Sequence, residues 1–416
     1  MDSLRLCQPG KSLEMKDQSL NASKRRLKPA HNCILIAVAC FLGLTFHGAS
    51  FAATTSDMFA FDFLRESVRS NNGNVVISPY GAFVALSMLA NGAEASTRSE
   101  ILRVLKVGDS LTELNQSNAK SLGATNAETK VQLKIANAIF VDKDFPVLKS
   151  FTQSVEESYK AEVRNLSFLE PDSVKTINGW VSEKTQGRIP ILIERLRAGD
   201  CAVLLNAVYF KGLWQSAFKK TDTADSAFHL ENGTVKQVPM MKHETKYPYY
   251  KGENFEALSL PYQGAESLIV LLPDRDKKAS DICRELDAKG WAAVTKGLHE
   301  EEVDLELPRF QISFSEELKP MLERMGMTNC FSPRSANFKA LSSTPAYVGR
   351  AIQKTFIDVN EEGTEAAAAT AIVMHFRAMS AVKPKPLEFK VDRPFIIALK
   401  EEGTGSLLFL GLVNEP

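Results

Sequence analysis

Residues placed to do chemistry are few in this chain. His243-Glu244 begins like a zinc-protease helix motif but continues Thr245-Lys246-Tyr247, so the second histidine is missing. "GTGSLLF", from Gly403, lacks the second glycine of a nucleophile elbow. There is no phosphate-binding loop, no dinucleotide turn and no C-x-x-C pair. His229, His243, His299 and His375 are dispersed and read as structural histidines. No catalytic residue, metal or cofactor is expected, and the chain does not read as an enzyme. One stretch stands apart: "NEEGTEAAAATAIVMHFRAMS", residues 360–380. It carries three acids, a glycine, two threonines, a run of four alanines and then Arg377. An arginine side chain fits the acidic specificity pocket of a trypsin-like protease.

The flanks of that stretch must hold it. "AIQKTFIDVN" before it alternates like a strand, and "PKPLEFKV" after it restarts one behind two prolines. The segment between has no apolar period, and loops of that length are usually functional or disordered. Elsewhere, "VISPYGAFVALSMLANGA" reads as a helix, with Ser78 as N-cap, Pro79 at the first helical position and Asn91-Gly92 as the stop. "DMFAFDFLRESV", "SFTQSVEESYKAEV" and "SVKTINGWVSEKT" are further helices. "VQLKIANAIFV" (131–141) and "VDLELPRFQISF" (303–314) read as strands. "AVLLNAVYF" (202–210) is apolar almost throughout, which suits a strand covered on both faces. "LEFKV", "FIIAL" and "SLLFLGLV" are three more strands at the C-terminus. Helices dominate early and strands late, with no internal repeat. One α+β domain from about residue 53 onward is the expectation.

The 416 residues are 44% hydrophobic, enough for a large core. Lysine plus arginine equals aspartate plus glutamate, 50 against 50, so nothing points to nucleic acid as a partner. Residues 1–32 are polar with a basic cluster at Lys24, Arg25, Arg26 and Lys28. The apolar run Cys33–Phe46 and the small residues to Ala52 read as a signal peptide, with cleavage near Ser50 or Ala52. The run is short for a membrane span of about 20 residues. A secreted, extracellular protein without a stable membrane partner is expected; initiation at Met15 or a signal anchor are the alternatives. Sequons at Asn115, Asn165 and Asn232 suit a secreted glycoprotein. Cys201, Cys283 and Cys330 would remain after cleavage, an odd number that reads as buried structural thiols.

From residue 54 to 416 the sequence resembles the serpin superfamily. "NEEGTEAAAAT" resembles the serpin hinge, and "FKVDRPFIIAL" (389–399) the C-terminal signature. "NVVISPYGAFVALSMLANGA", "INGWVSEKTQGRI", "LLNAVYFKGLW" and "VDLELPRFQISF" match in order. The resemblance implies three β-sheets, about nine helices and an exposed reactive-centre loop, here about residues 361–386. A target protease cleaves that loop, and its N-terminal part then inserts as a strand into the largest sheet. Serpin loop insertion is a standing example of strand addition and of stored strain released. About a dozen new strand residues, at ~0.5–1.5 kcal/mol per hydrogen bond, give on the order of 10 kcal/mol. The uncleaved state can therefore be metastable behind a kinetic barrier.

The hinge residues are Glu361, Glu362, Gly363, Thr364, Glu365, Ala366, Ala367, Ala368, Ala369 and Thr370. A segment that slides between packed strands must be small. Thr364, Ala366, Ala368 and Thr370 share one strand face, which the family turns inward; the charge of Glu365 falls on the other. Gly363 supplies hinge freedom. The family's cleaved bond lies fourteen positions after the hinge glycine, giving Arg377–Ala378. Phe376 before it makes a pair favoured by kallikrein-like and papain-like proteases; Phe376–Arg377 and Met379–Ser380 are the alternative bonds. Trp214 matches the tryptophan where the hinge enters the sheet. Ser78 and Asn206 match residues that hold the central strands together. Two departures stand out: Gly81 replaces a frequent serine, and Gln353 a frequent histidine. Glutamine both donates and accepts, so the network it joins can persist. The helix that binds heparin in some members aligns near residues 110–122 and offers Lys120 alone, so heparin is not expected. The resemblance implies a monomer whose partner is a trypsin-like serine protease. Non-inhibitory carriers and chaperones of the family are the alternative.

Overall fold

A computed structural model describes residues 47–125, 131–197, 199–364 and 385–416. Its first strands are β1 (Val75–Ile77), β2 (Val131–Asp142), β3 (Glu162–Leu166), β4 (Ala202–Leu213) and β5 (Ala224–His229). Then come β6 (Val235–Lys251), β7 (Phe255–Pro261), β8 (Glu266–Pro273), β9 (His299–Pro308) and β10 (Phe310–Glu317). Last are β11 (Val348–Asn360), β12 (Gly363–Thr364), β13 (Leu387–Lys390), β14 (Phe395–Glu401) and β15 (Leu407–Val413). Nine α-helices accompany them among the described residues.

Six strands form one sheet in the order β10-β11-β12-β4-β2-β3. The other nine form a second hydrogen-bonded network, β1-β15-β14-β8-β7-β6-β9-β13, with β5 on β6. Its strands fall into two groups that meet on the long β6. The first part of β6 pairs with β5 and β9, and only Tyr249–Lys251 pair with β7. Three groups of strands result, as the resemblance implies.

The run 303–314, read as one strand, is two strands in two sheets. Pro308 has no N–H to continue a ladder, and the Arg309 N–H turns to the Pro239 carbonyl at 2.9 Å. β9 therefore ends at Pro308 beside β6, and β10 starts at Phe310 beside β11.

β4 explains the apolar run of 202–210. Ala202, Leu204, Val208 and Phe210 enter the main core, whereas Val203, Leu205, Ala207 and Tyr209 enter a second core. That second core contains Ile177, Trp180 and Val181 of the helix Pro171–Lys184. Each face of the strand is covered, so period-2 alternation disappears from the sequence. The helix Pro79–Gly92 behaves as its ends predict: Ser78 Oγ accepts from the Gly81 N–H, and Pro79 opens the first turn.

Candidate functional site

β11 and β4 lie side by side and parallel, from Val348 opposite Ala202 to Phe356 opposite Tyr209. Beyond that point they part, and β12 lies between them, antiparallel to both. Thr364 pairs with Val359 on one side and Gly212 on the other; Gly363 pairs with Asn360 and Leu213. The first residues of the alanine-rich segment are thus already strand.

Glu361 and Glu362 make the bend into β12. The Trp214 N–H donates to Glu362 O at 3.0 Å and the Phe218 N–H to Glu361 O at 2.8 Å. Trp214 Nε1 donates to Asn360 O at 2.9 Å, and its ring stacks on Tyr262 at 4.3 Å between centroids. Tyr262 in turn shares a 2.6 Å hydrogen bond with Thr364, which is fully buried. The acids are held as well. Thr223 Oγ1 donates to Glu361 at 2.9 Å, with Arg309 3.7 Å away, and Lys220 Nζ sits 2.7 Å from Glu362. Gly363 has a sharper reason to be glycine than hinge freedom. Its φ is 151°, and a Cβ there would lie 2.0 Å from Gly212 O.

Along the seam, a row of buried polar side chains crosses the sheet. Asn137 on β2, Asn206 on β4, Gln353 on β11 and Glu316 on β10 are successive register partners. Asn206 Nδ2 donates to Asn137 Oδ1 at 2.8 Å, and Gln353 Nε2 donates to Asn206 Oδ1 at 2.6 Å. The same Nε2 donates to Ser78 O at 2.9 Å, while Gln353 Oε1 accepts from the Ser78 N–H at 2.8 Å. Ser78 Oγ donates to Leu408 O at 2.6 Å. The row thus joins both central strands to the start of the helix Pro79–Gly92. Burial pushes the Glu316 carboxyl up, and Ser67 and Asn71 bond it. Gly81 makes room for the row: a Cβ there would lie 2.7 Å from Asn206 Oδ1 and 2.8 Å from Val208 Cγ2.

On the opposite face the seam is strapped. The segment after the helix Pro171–Lys184 buries Ile189, Leu192 and Ile193 against a core that includes Ile352 and Phe356. Asn178 on that helix accepts from the Leu192 and Ile193 N–H groups at 2.8 and 3.0 Å and donates to Ile193 O at 2.7 Å. From β11, Lys354 Nζ donates to Ile191 O at 2.6 Å and Arg350 Nη1 to Arg195 O at 3.1 Å. Burial pushes the Lys354 ammonium down.

In "DRPF", Asp392 is buried between Arg275 and Arg393, at 2.9 and 2.8 Å. Burial alone would raise its carboxyl, but the two guanidiniums outweigh it and hold it below the usual carboxylate range. Arg393 also donates to Pro273 O, at 2.6 Å through Nη2. Cys201, Cys283 and Cys330 are buried and unpaired, and burial pushes all three thiols up, away from reactivity. Glu365, Ala366, Ala367, Ala368, Ala369, Thr370, Arg377 and Ala378 lie outside the described residues, as do residues 1–46.

The family model "Serpin (serine protease inhibitor)" matches residues 54–416. The chain belongs to the serpin family. Serpin B6 of Pongo abelii is 34% identical over 376 residues, covering 88% of this chain and 99% of its own. The leukocyte elastase inhibitor of Xenopus tropicalis is 35% identical, with 86% and 97% covered. Among solved structures, human thyroxine-binding globulin in complex with thyroxine superposes with a TM-score of 0.82 at 28% identity, covering 89% and 99%. Serpins generally form complexes with proteases, so a protease is the expected class of partner.

Within the serpin frame, the structure brings Ser78, Asn206 and Gln353 into one network and Trp214, Glu361 and Glu362 into another. Among the contributors not read from the sequence are Asn137, Glu316, Tyr262, Thr223, Lys220 and Arg309. Asn137 leaves a faint trace, a lone asparagine inside the apolar strand "IANAIFV". Buried strand polars of that kind call for a partner. Tyr262 and the two cations leave none, because their roles depend on contacts far along the chain.

Proposed function

We propose that this serpin is a secreted, inhibitory member that traps a trypsin-like serine protease by cleavage at Arg377–Ala378 and strand insertion. The observation that carries this reading is the placement of Gly363 and Thr364 between β11 and β4. Each further loop residue added to β12 moves one residue back on both neighbours. Six steps beyond Thr364, Thr370 falls opposite Gln353 on β11 and Asn206 on β4 alike. Ala366 and Ala368 share its face, toward the helix Pro79–Gly92. Ala367, Ala369 and Ala371 face the strap. Small residues, Ala366 to Ala371, meet the seam from Ile357 to Ile352 on β11, where a close-packed interior admits no bulk. Thr370 offers a hydroxyl at the level where the Gln353–Asn206 bond must part.

The protease class rests on Arg377, and secretion rests on the segment 33–52. Incubation with trypsin, a kallikrein-like protease and papain tests the reading. An SDS-stable adduct with a new N-terminus at Ala378 supports it. Clean cleavage without an adduct favours a carrier role, the reading to which the likeness to thyroxine-binding globulin points. A terminus at Ser380 moves the target toward elastase-like proteases, and an adduct with papain extends it to cysteine proteases.

A further inference from the structure

The sequons at Asn115, Asn165 and Asn232 are alike as triplets and different as places in the fold. Asn115 lies half-buried on the helix Leu111–Thr125. Its Oδ1 accepts from Tyr159 Oη at 2.5 Å and from Asn91 Nδ2 at 3.0 Å, and its Nδ2 donates to Asn91 Oδ1 at 2.8 Å. Asn165, on β3, uses Nδ2 to hold two carbonyls, Asp142 O at 3.3 Å and Phe145 O at 3.2 Å. Asn232 sits in the hairpin loop between β5 and β6, where Glu231, Asn232, Gly233 and Thr234 are all exposed. Gly233 has φ 83°, which turns the chain. Asn232 Oδ1 accepts from the Thr234 N–H at 2.9 Å, closing the sequon into an Asx turn. Its Nδ2 has no hydrogen-bond partner among the described residues.

N-glycosylation converts one amide N–H into an N–C bond. Nδ2 attacks the anomeric carbon of a polyprenyl-diphosphate-linked oligosaccharide. The carbon–oxygen bond to the diphosphate breaks, the lipid diphosphate leaves with the electron pair, and the amide proton passes to a base of the transferase. Nothing is oxidised or reduced. At Asn232 the bond made costs the fold nothing. At Asn165 one of two carbonyl contacts must go. At Asn115 a glycan would have to leave through the packed Asn91–Tyr159 pair, stranding half-buried polar groups.

We propose that Asn232 is the N-glycosylation site of this serpin, and that Asn115 and Asn165 remain unmodified in the folded, secreted protein. This rests on the secretion reading. Neither strand of the hairpin borders the β4–β11 seam, so a glycan there leaves insertion unobstructed.

The test expresses the full chain in a secreting eukaryotic cell. Enzymatic deglycosylation leaves an aspartate at each occupied asparagine, which peptide mass spectrometry locates. The expected result is aspartate at 232 and at neither 115 nor 165, and loss of the glycan mass of residues 53–416 in Asn232→Gln. Aspartate at 115 or 165, or an unmodified 232, in secreted protein overturns the proposal. A second arm places a cleavable secretion signal before the full chain, so that passage no longer depends on residues 33–52. If only this arm secretes, the secretion reading fails and the site is still decided by the same peptides.

Discussion

Gln353 and Asn206 face each other across the seam between β11 and β4, and one 2.6 Å hydrogen bond joins them. Both strands must separate by about 4.8 Å to admit another. On the proposed insertion, the bond belongs to the uncleaved state alone. Gln353 uses its whole amide here, accepting one hydrogen bond and donating two.

Gln353→Met keeps the length of the side chain and removes the amide. The Ser78 N–H and Asn206 Oδ1 then lose partners inside the core. A loss of about 1–3 kcal/mol per stranded group is expected. Denaturant unfolding of the uncleaved protein should show an earlier midpoint, and conversion to the inserted form on mild heating should be faster. An unchanged midpoint would show that the seam is held elsewhere.

Gly81→Ser restores the residue frequent in the family, yet it should destabilise this chain. Its Cβ would meet Asn206 and Val208 at under 3 Å. Overpacking of this kind costs about 1–3 kcal/mol. Thermal unfolding would register it, and a midpoint at or above wild type would contradict the packing account.

How much of this was legible in sequence divides along the range of the contacts. Ser78-Pro79, Gly363 and the alanine run declare themselves, because capping, turning and small size are local properties. Gly81 was visible only as a missing serine; its role is room for Asn206, more than a hundred residues away. The strand run through Pro308 shows the same limit. Alternation located both halves, but which sheet each joins depends on partners that no local pattern encodes.

Thr370→Val tests the insertion register. Valine matches threonine in shape and lacks the hydroxyl. Uncleaved protein should unfold as wild type does, whereas the cleaved, inserted form should lose about 1 kcal/mol, the worth of a buried hydrogen bond. Equal stability of the two cleaved forms would place another residue between Gln353 and Asn206.

Asp392→Asn tests the arginine-flanked carboxylate of the "DRPF" motif. The folded-state value of Asp392 is depressed, so its contribution is present above the unfolded carboxylate value of about 3.9. It is lost as pH falls through the folded value. The substitution should lower stability at neutral pH by roughly 1–3 kcal/mol, the range for a charge-assisted hydrogen bond. The acid limb of the stability profile should flatten as well. Urea midpoints from pH 3 to 7 would show whether the gap between the two proteins closes toward low pH, as this requires.

Thr364→Arg addresses inhibition itself. Thr364 is fully buried, bonded to Tyr262 and paired on both sides at the mouth of the seam. Every residue that follows adds to β12 after it, in order. An arginine here would bring an unpaired charge beneath the Trp214–Tyr262 stack, at a cost of about 3–5 kcal/mol. Insertion slows while cleavage at the exposed bond does not. The balance between trapping and release should shift toward release by about a hundredfold or more. Gel analysis after reaction with trypsin should show cleaved protein and free protease in place of the adduct. Thr364→Ser, which keeps the hydroxyl, should retain the adduct. If the arginine variant traps protease as well as wild type does, inhibition in this serpin does not proceed through burial of the Thr364 face.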